Sequence, residues 1–192
     1  MEDSQKLEII NMIEESSKGA TNLLENLLTW ARSESGNIDY KPEKFDIRET
    51  ITQSFILLKV NAEKKNIKLI TLITDACHVY ADINMTTTII RNLVSNSIKF
   101  TPENGSITLS NKIKGNLMEI SVTDTGIGMD ESTRSKLFRI DQQITTKGTS
   151  GEGGTGLGLI ICREFVEKNG GKIRVESEQG KGSTFIFSLQ RI

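Results

Sequence analysis

The sequence predicts an α+β fold, a two-layer sandwich in which a mixed β-sheet carries helices on one face, preceded by one long helix. Three observations predict it. Residues 4–35 repeat their apolar positions with a helical period. From about residue 46 onward, helical and strand-like stretches both alternate and cluster, as a mixed sheet requires. There are no internal repeats, and 192 residues fit one ordinary domain plus an appendage.

In the first stretch Ile10, Ile13, Ser17, Ala20, Leu24, Leu27 and Ala31 follow steps of three and four, the seam of a helical bundle, and Leu7, Leu23 and Leu28 widen it. A helix this apolar along one stripe is not stable alone and needs a partner. The turn residues SESGN at 33–37 and then Pro42 set it apart. Residues 1–38 therefore read as a separate helical element seeking partner helices that the chain does not contain, and residues 39–192 as the folded domain. Asp46 is the expected N-cap of a helix running to about Lys65. IKLITLIT at 67–74 alternates and is β-branched, which predicts a strand. Asn84 to Phe100 has a helical period. Strands at about 106–113 and 117–124 form a hairpin through Lys114, Gly115 and Asn116. A short helix near 130–138 leads into a polar Gly/Thr/Ser loop at 141–155. One more helix, at about 156–168, ends at the Gly170-Gly171 signal. Strands at 171–177 and 183–189, linked by Glu178, Gln179, Gly180, Lys181 and Gly182, close the chain.

Lysine plus arginine number 24 against 25 acids, a formal net charge of −1, which argues against a general nucleic-acid binder. Any anion must be held locally by particular residues. Cys77 and Cys162 lie far apart and form no CxxC pair, so reduced thiols of a cytosolic protein are the expectation. No run of about 18 apolar residues is present to span a membrane, and MEDSQKLEII does not read as a secretion signal. The expectation is a soluble, cytoplasmic piece without nucleic-acid or membrane contact of its own; an anchored parent stays compatible with it. His78, the one histidine, adjoins Cys77, and neighbours in a strand point to opposite faces, so the pair makes a poor dyad or metal site.

Three constellations remain as candidates for chemistry. Asn92, Asn96 and Lys99 fall at i, i+4 and i+7 on one helical face, where an amide oxygen suits magnesium and an ammonium suits phosphate. Alone they read more simply as a solvated face, although two asparagines within five residues are unusual in a helix. Asp124-Thr-Gly126-Ile-Gly128 puts a carboxylate acceptor beside approachable backbone, fit for an exocyclic amine such as that of adenine; alone, a β-turn is the better reading. Gly151-Glu-Gly153-Gly154-Thr155-Gly156-Leu157-Gly158-Leu159 leads glycine amides into a helix N-terminus, an anion site, and here the phosphate reading outweighs a plain linker. Gly151, Gly153 and Gly156 also match GxGxxG, with Glu176 twenty residues beyond, but the preceding DQQITTKGTS is polar and not the strand a dinucleotide fold requires.

Taken in order, these segments resemble those of sensor histidine kinases. Asn92-Leu-Val-Ser-Asn96-Ser-Ile-Lys99-Phe100-Thr101-Pro102 resembles the N box, Asp124-Thr-Gly126-Ile-Gly128-Met129 the first glycine box, and Gly154-Thr-Gly156-Leu-Gly158-Leu the second. Gly180-Lys-Gly182-Ser-Thr-Phe185 is similar to the closing motif, and Leu137-Phe138 sits where the phenylalanine box falls. The resemblance covers roughly residues 46–192. Residues 4–35, ending in LLENLLTWARSESGNI, are similar to the second helix of the dimerisation and phosphoacceptor domain; the first helix, with its phosphorylated histidine, has no counterpart.

The resemblance implies a Bergerat-type ATP-binding fold of the GHKL superfamily, using ATP and Mg2+. It implies that Asn96 coordinates magnesium and Lys99 contacts phosphate. Asn92 stands where gyrase-type and chaperone-type ATPases carry a water-activating glutamate; an amide cannot be a general base, which favours phosphoryl transfer over hydrolysis. Asn92 and Lys99 are thus the expected catalytic pair. Asp124 is expected to recognise adenine, with Gly126, Gly128 and Met129 around it. The loop 141–155 would be a mobile ATP lid, and Gly154, Thr155, Gly156, Leu157 and Gly158 would meet the phosphates. The implied activity is transfer of the γ-phosphoryl group to a histidine on a helix outside this chain, with a response regulator downstream and a homodimer through the N-terminal helix. The alternatives are a nucleotide-binding interaction module without transfer, and a hydrolysing GHKL-type ATPase.

Overall fold

A computed structural model describes residues 39–73, 75–139 and 146–192, together with isolated helical positions between residues 9 and 31. The elements are β1 (Pro42–Asp46), α1 (Ile47–Glu63), β2 (Lys68–Thr71), β3 (His78–Asp82), α2 (Ile83–Phe100), β4 (Ser106–Lys114), β5 (Leu117–Asp124), α3 (Glu131–Arg134), α4 (Gly158–Lys168), β6 (Ile173–Glu178) and β7 (Gly182–Arg191).

The described strands form one seven-stranded sheet in the order β1-β3-β7-β5-β4-β2, with β6 also paired to β7. It is mixed: β2 runs parallel to β4, and the other pairings are antiparallel. One edge of β7 pairs along β5, from Ser183 opposite Asp124 to Gln190 opposite Leu117. Its remaining partners are β6, over Gly182–Phe187, and β3, at Gln190 and Arg191. Alternation decides which sheet face is buried. Met118, Ile120, Val122 and Asp124 of β5 point into the core, while Glu119, Ser121 and Thr123 stay partly exposed. Helices cover the buried face. The central helix α2 packs between α1 and α4, with Ile89, Ile90, Leu93 and Val94 inside. Phe185, Phe187 and Leu189 of β7 complete that layer. The α+β sandwich expected from the sequence is the observed architecture.

Helix starts are set by aspartates, with one exception. Asp46 caps α1 by accepting from the Arg48 amide, Asp82 caps α2 through the Met85 amide, and Asp130 caps α3 through the Thr133 amide. At the start of α4 stands Leu157, with no side-chain cap.

The structure adds two strands that the sequence pattern did not give, β1 and β3. PEKFD is short, charged and proline-led, as suits an edge strand; HVYAD is only five residues long and leads straight into a helix cap. The strand expected at 67–74 is cut to Lys68–Thr71, because β2 is an edge strand with β4 as its sole neighbour. The helix expected at 130–138 is one turn, Glu131–Arg134, continued by turns. In the N-terminal stretch Ile10, Ile13, Ser17, Ala20, Leu24, Leu27 and Ala31 are each helical and exposed; Leu7, the expected ends of that helix and the turn at 33–37 lie outside the described residues.

Candidate functional site

The site lies where α2, the end of β5 and the start of α4 meet. Asn92, Asn96 and Lys99 are all half-buried on α2, as their helical spacing requires. The Asn92 amide donates to the Gly158 carbonyl at 3.4 Å, which ties the middle of α2 to the first residue of α4. Lys99 projects its ammonium over the Phe100 ring, 4.7 Å from the centroid. It also reaches the glycine run, since a Cβ placed on Gly154 would lie 2.7 Å from the Lys99 Nζ. Burial pulls the Lys99 ammonium below the usual lysine range, and the Glu152 carboxylate opposes that. Asn96 makes no side-chain hydrogen bond among the described residues.

Asp124 ends β5 and is 4% exposed. Its Oδ1 accepts from the Gly126 amide at 2.9 Å and the Ser183 amide at 3.1 Å, and its Oδ2 accepts from the Ser97 hydroxyl at 3.2 Å. Desolvation raises its carboxyl above the ordinary range, and these three hydrogen bonds pull the other way. Gly126 must be glycine because a Cβ would fall 2.6 Å from both the Asp124 carboxylate and the Phe100 carbonyl. Gly128 sits at φ +63°, and a Cβ there would overlap the Glu178 carbonyl. Met129 donates its amide to the Ser177 hydroxyl at 2.9 Å and packs its side chain against the core.

Across from these, the chain from Gly151 to Leu157 carries no regular structure and then enters α4. Thr155 accepts the Leu157 amide at 3.3 Å, and Leu157 itself is buried. A Cβ on Gly158 would meet Asn92 at 3.6 Å, an ordinary contact, so Gly158 is where the glycine run touches α2. With no side-chain cap, the first amides of α4 remain free to meet an anion, beside a lysine. No strand leads into the glycines at 146–150, so the GxGxxG spacing is not a dinucleotide turn; residues 140–145, within the expected lid, lie outside the described residues.

The parts fit a magnesium nucleotide. A buried carboxylate stands ready for an amine, an uncapped helix start and Lys99 for phosphates, and the Asn96 amide oxygen for a hard cation. Among the described residues, no three His, Cys, Asp or Glu side chains gather as a metal site. His78 is exposed at the start of β3 and Cys77 is buried, so the two face apart. Cys162 is fully buried behind Asn92, and burial pushes its thiol up to about 12, against a hydrogen bond from Asn92. Sequence reasoning missed Ser97, which donates to Asp124; it carried a weak signal, a hydroxyl on the buried stripe of an amphipathic helix.

Residues 81–191 match the family model described as histidine kinase-, DNA gyrase B-, and HSP90-like ATPase. The signal transduction histidine-protein kinase BarA of Escherichia coli K12 is 34% identical over 190 residues, covering 94% of this chain and 20% of BarA. Among solved structures, the catalytic domain of histidine kinase ThkA superposes with a TM-score of 0.68 at 30% identity, over 79% of this chain and 96% of that one. ThkA in complex with the response regulator protein TrrA superposes with a TM-score of 0.74 at 25% identity, over 100% of this chain and 53% of that one. Full-length ShkA in complex with AMPPNP gives 0.79 at 26% identity, over 97% of this chain and 39% of that one. The chain spans about a third or less of the curated relatives it matches first.

Proposed function

Because this chain belongs to the family of histidine kinase-, DNA gyrase B- and HSP90-like ATPases, we propose that its ATP-binding catalytic domain transfers the γ-phosphoryl group to a histidine on a helix outside this sequence, as the catalytic part of a sensor histidine kinase. One observation carries the reading. The residue of α2 held against Gly158, at the start of α4, is Asn92, an amide, and no carboxylate stands in its place to activate water.

In this reading Asp124 accepts the exocyclic amine of adenine, in a pocket whose floor is kept close by Gly126 and Gly128, with Met129 alongside. Gly154, Thr155, Gly156, Leu157 and Gly158 present backbone to the phosphates, and Lys99 offsets their charge. Asn96 would hold magnesium through its amide oxygen; the ion supplies charge neutralisation across the phosphates. Asn92 and Lys99 then orient the γ-phosphoryl group. A bond forms between the acceptor imidazole nitrogen and phosphorus as the bond to the β–γ bridging oxygen breaks, ADP leaves with that electron pair, and the imidazole releases its proton. Such transfer needs mainly positioning and charge neutralisation, which these residues can provide.

The wider assignments belong to the same proposal. Residues 1–38 are the second helix of a dimerisation and phosphoacceptor domain, pairing with a second copy, and 39–192 the catalytic domain. A response regulator receives the phosphoryl group, as the ThkA complex suggests by likeness. A cytoplasmic setting agrees with the finding that no described helix is long and apolar enough to cross a membrane.

The test mixes this chain, radiolabelled ATP and magnesium with a protein carrying the acceptor helix. Acid-labile, base-stable label on the acceptor is expected, and Asp124→Asn should weaken ATP binding about tenfold or more by calorimetry. Steady phosphate release with no labelled histidine would favour the hydrolysing reading instead. ATP binding with neither transfer nor release would favour an interaction module.

A further inference from the structure

A buried cation stands behind the glycine run. Lys65 follows α1, in the turn before β2, and its side chain is 7% exposed. Its ammonium, with three donors, lies 2.8 Å from the Ile98 carbonyl, 3.2 Å from the Lys99 carbonyl, 2.6 Å from the Thr149 hydroxyl and 3.0 Å from the Glu152 carboxylate. The two carbonyls belong to the last turn of α2, where a helix leaves acceptors unpaired and its dipole favours a cation. Thr149 and Glu152 come from the segment that precedes Gly153–Gly158, 84 and 87 residues away.

The same segment is knotted locally. The Thr149 amide donates to the Lys99 carbonyl at 2.9 Å, the Gly148 amide to the Glu152 carbonyl at 2.9 Å, and the Gly151 amide to the Gly148 carbonyl at 3.0 Å. Glu152 further accepts the Ser150 amide at 2.8 Å, and the Thr149 hydroxyl bonds to the Thr101 carbonyl at 3.0 Å. Among the described residues Glu152 is also the charge felt by Lys99, the ammonium that reaches Gly154. Without Lys65, the Glu152 carboxylate would keep Lys99 as a counter-charge whose field it already feels.

We propose that Lys65 is a positioning residue of the nucleotide site: it clasps Thr149–Glu152 onto the end of α2 and neutralises Glu152, so that Lys99 is left for the phosphates. The clasp fixes both sides of the phosphate site together, because the carbonyls it holds are those at the root of Lys99 and the segment it holds delivers the glycine amides. The inference rests on the ATP reading of this site, and half of its test does not.

That half is amide hydrogen exchange on the full chain without nucleotide, comparing wild type, Lys65→Met, Glu152→Gln and the double variant. Exchange at Gly148–Gly151 should quicken about tenfold or more in both single variants, while β5 and β7 stay as protected as before. Glu152 lies on a surface segment and its side chain is 35% exposed, so Glu152→Gln reads the clasp even where Lys65→Met loosens the whole fold. The second half is ATP affinity. Lys65→Met should lose about tenfold, and the double variant no more than that, because removing the Glu152 charge frees Lys99 again. Unchanged exchange at Gly148–Gly151 in Glu152→Gln would overturn the proposal, as would losses of affinity that simply add. If the wild-type chain binds no ATP, or Asp124→Asn binds it equally well, the nucleotide reading fails while the exchange measurement still decides the clasp.

Discussion

Asp124 receives two amides and a hydroxyl, yet desolvation still holds its carboxyl above the ordinary range, so mild acid reaches its charge sooner than that of a surface aspartate. The signs follow for binding and for folding. An ionised carboxylate holds adenine's amine more strongly than a protonated one, so ATP affinity should fall as pH drops through the raised value, by at most about tenfold per pH unit below it. For stability the direction reverses: the folded state holds this proton more tightly than the unfolded chain, so the contribution of Asp124 declines as pH rises from the ordinary carboxylate range to the folded value, then levels. Calorimetric titrations from neutral pH down into the ordinary carboxylate range check the first claim, with Asp124→Asn expected to show a shallower fall in affinity. ATP's own phosphate titration is common to both proteins and cancels. A fall equally steep in the variant would remove Asp124 as its cause. The residues of this site divide by how they could be read. Asn92, Asn96, Lys99, Asp124 and the glycines were legible because their motifs are local and come in a particular order. Ser97 and Lys65 were not, because their partners lie 27 to 87 residues away and exist only once the chain is folded.

One helix start, that of α1, was legible from side-chain chemistry. Asp46 was expected as the cap of α1, and it accepts the Arg48 amide at 3.1 Å. It also takes the Arg48 guanidinium at 2.6 Å and the Cys77 amide at 3.2 Å, so one carboxylate closes a helix and holds the approach to β3. The Arg48 hydrogen bond leads the effects that bring its carboxyl down to about 2. A depressed value means stability that is present above the ordinary carboxylate range and lost as pH falls toward about 2. Asp46→Ala should therefore cost about 1–2 kcal/mol at neutral pH, read from denaturant midpoints, and clearly less at about pH 2.5, where the wild-type carboxyl is itself gaining a proton. An equal cost at both pH values would assign the loss to packing. β1 and β3 escaped the sequence reading for a physical reason. Their pairing runs between strands 32 to 40 residues apart, from Asp46 with His78 to Pro42 with Asp82, and each strand is only five residues long.

The molecule as a whole pairs a well-buried domain with a helix whose apolar side faces outward. Ile9, Ile10, Ile13, Leu23, Leu24, Leu27 and Leu28 are each between 44% and 64% exposed, whereas α2 buries Ile89, Ile90, Leu93 and Val94 completely. Seven large apolar side chains along one helix, each about half exposed, would each gain roughly half of the about 1.5–3 kcal/mol that full burial is worth. The steps of three and four from Ile10 through Ile13, Ser17, Ala20, Leu24 and Leu27 to Ala31 suit a partner helix laid alongside, and a second copy brings the same stripe. Sedimentation should therefore find the chain self-associated at tens of micromolar. Leu24→Glu combined with Leu27→Glu should shift it toward monomer, because two carboxylates would have to be buried in the seam. ATP affinity should not change, since the proposed nucleotide contacts all lie between Asn92 and Gly158. A wild-type chain that sediments as a monomer would deny that the stripe is self-complementary, and the acceptor-bearing helix would then be its partner. A double variant that loses ATP binding along with association would show that the helix also supports the site, which nothing in the packing of residues 39–192 requires.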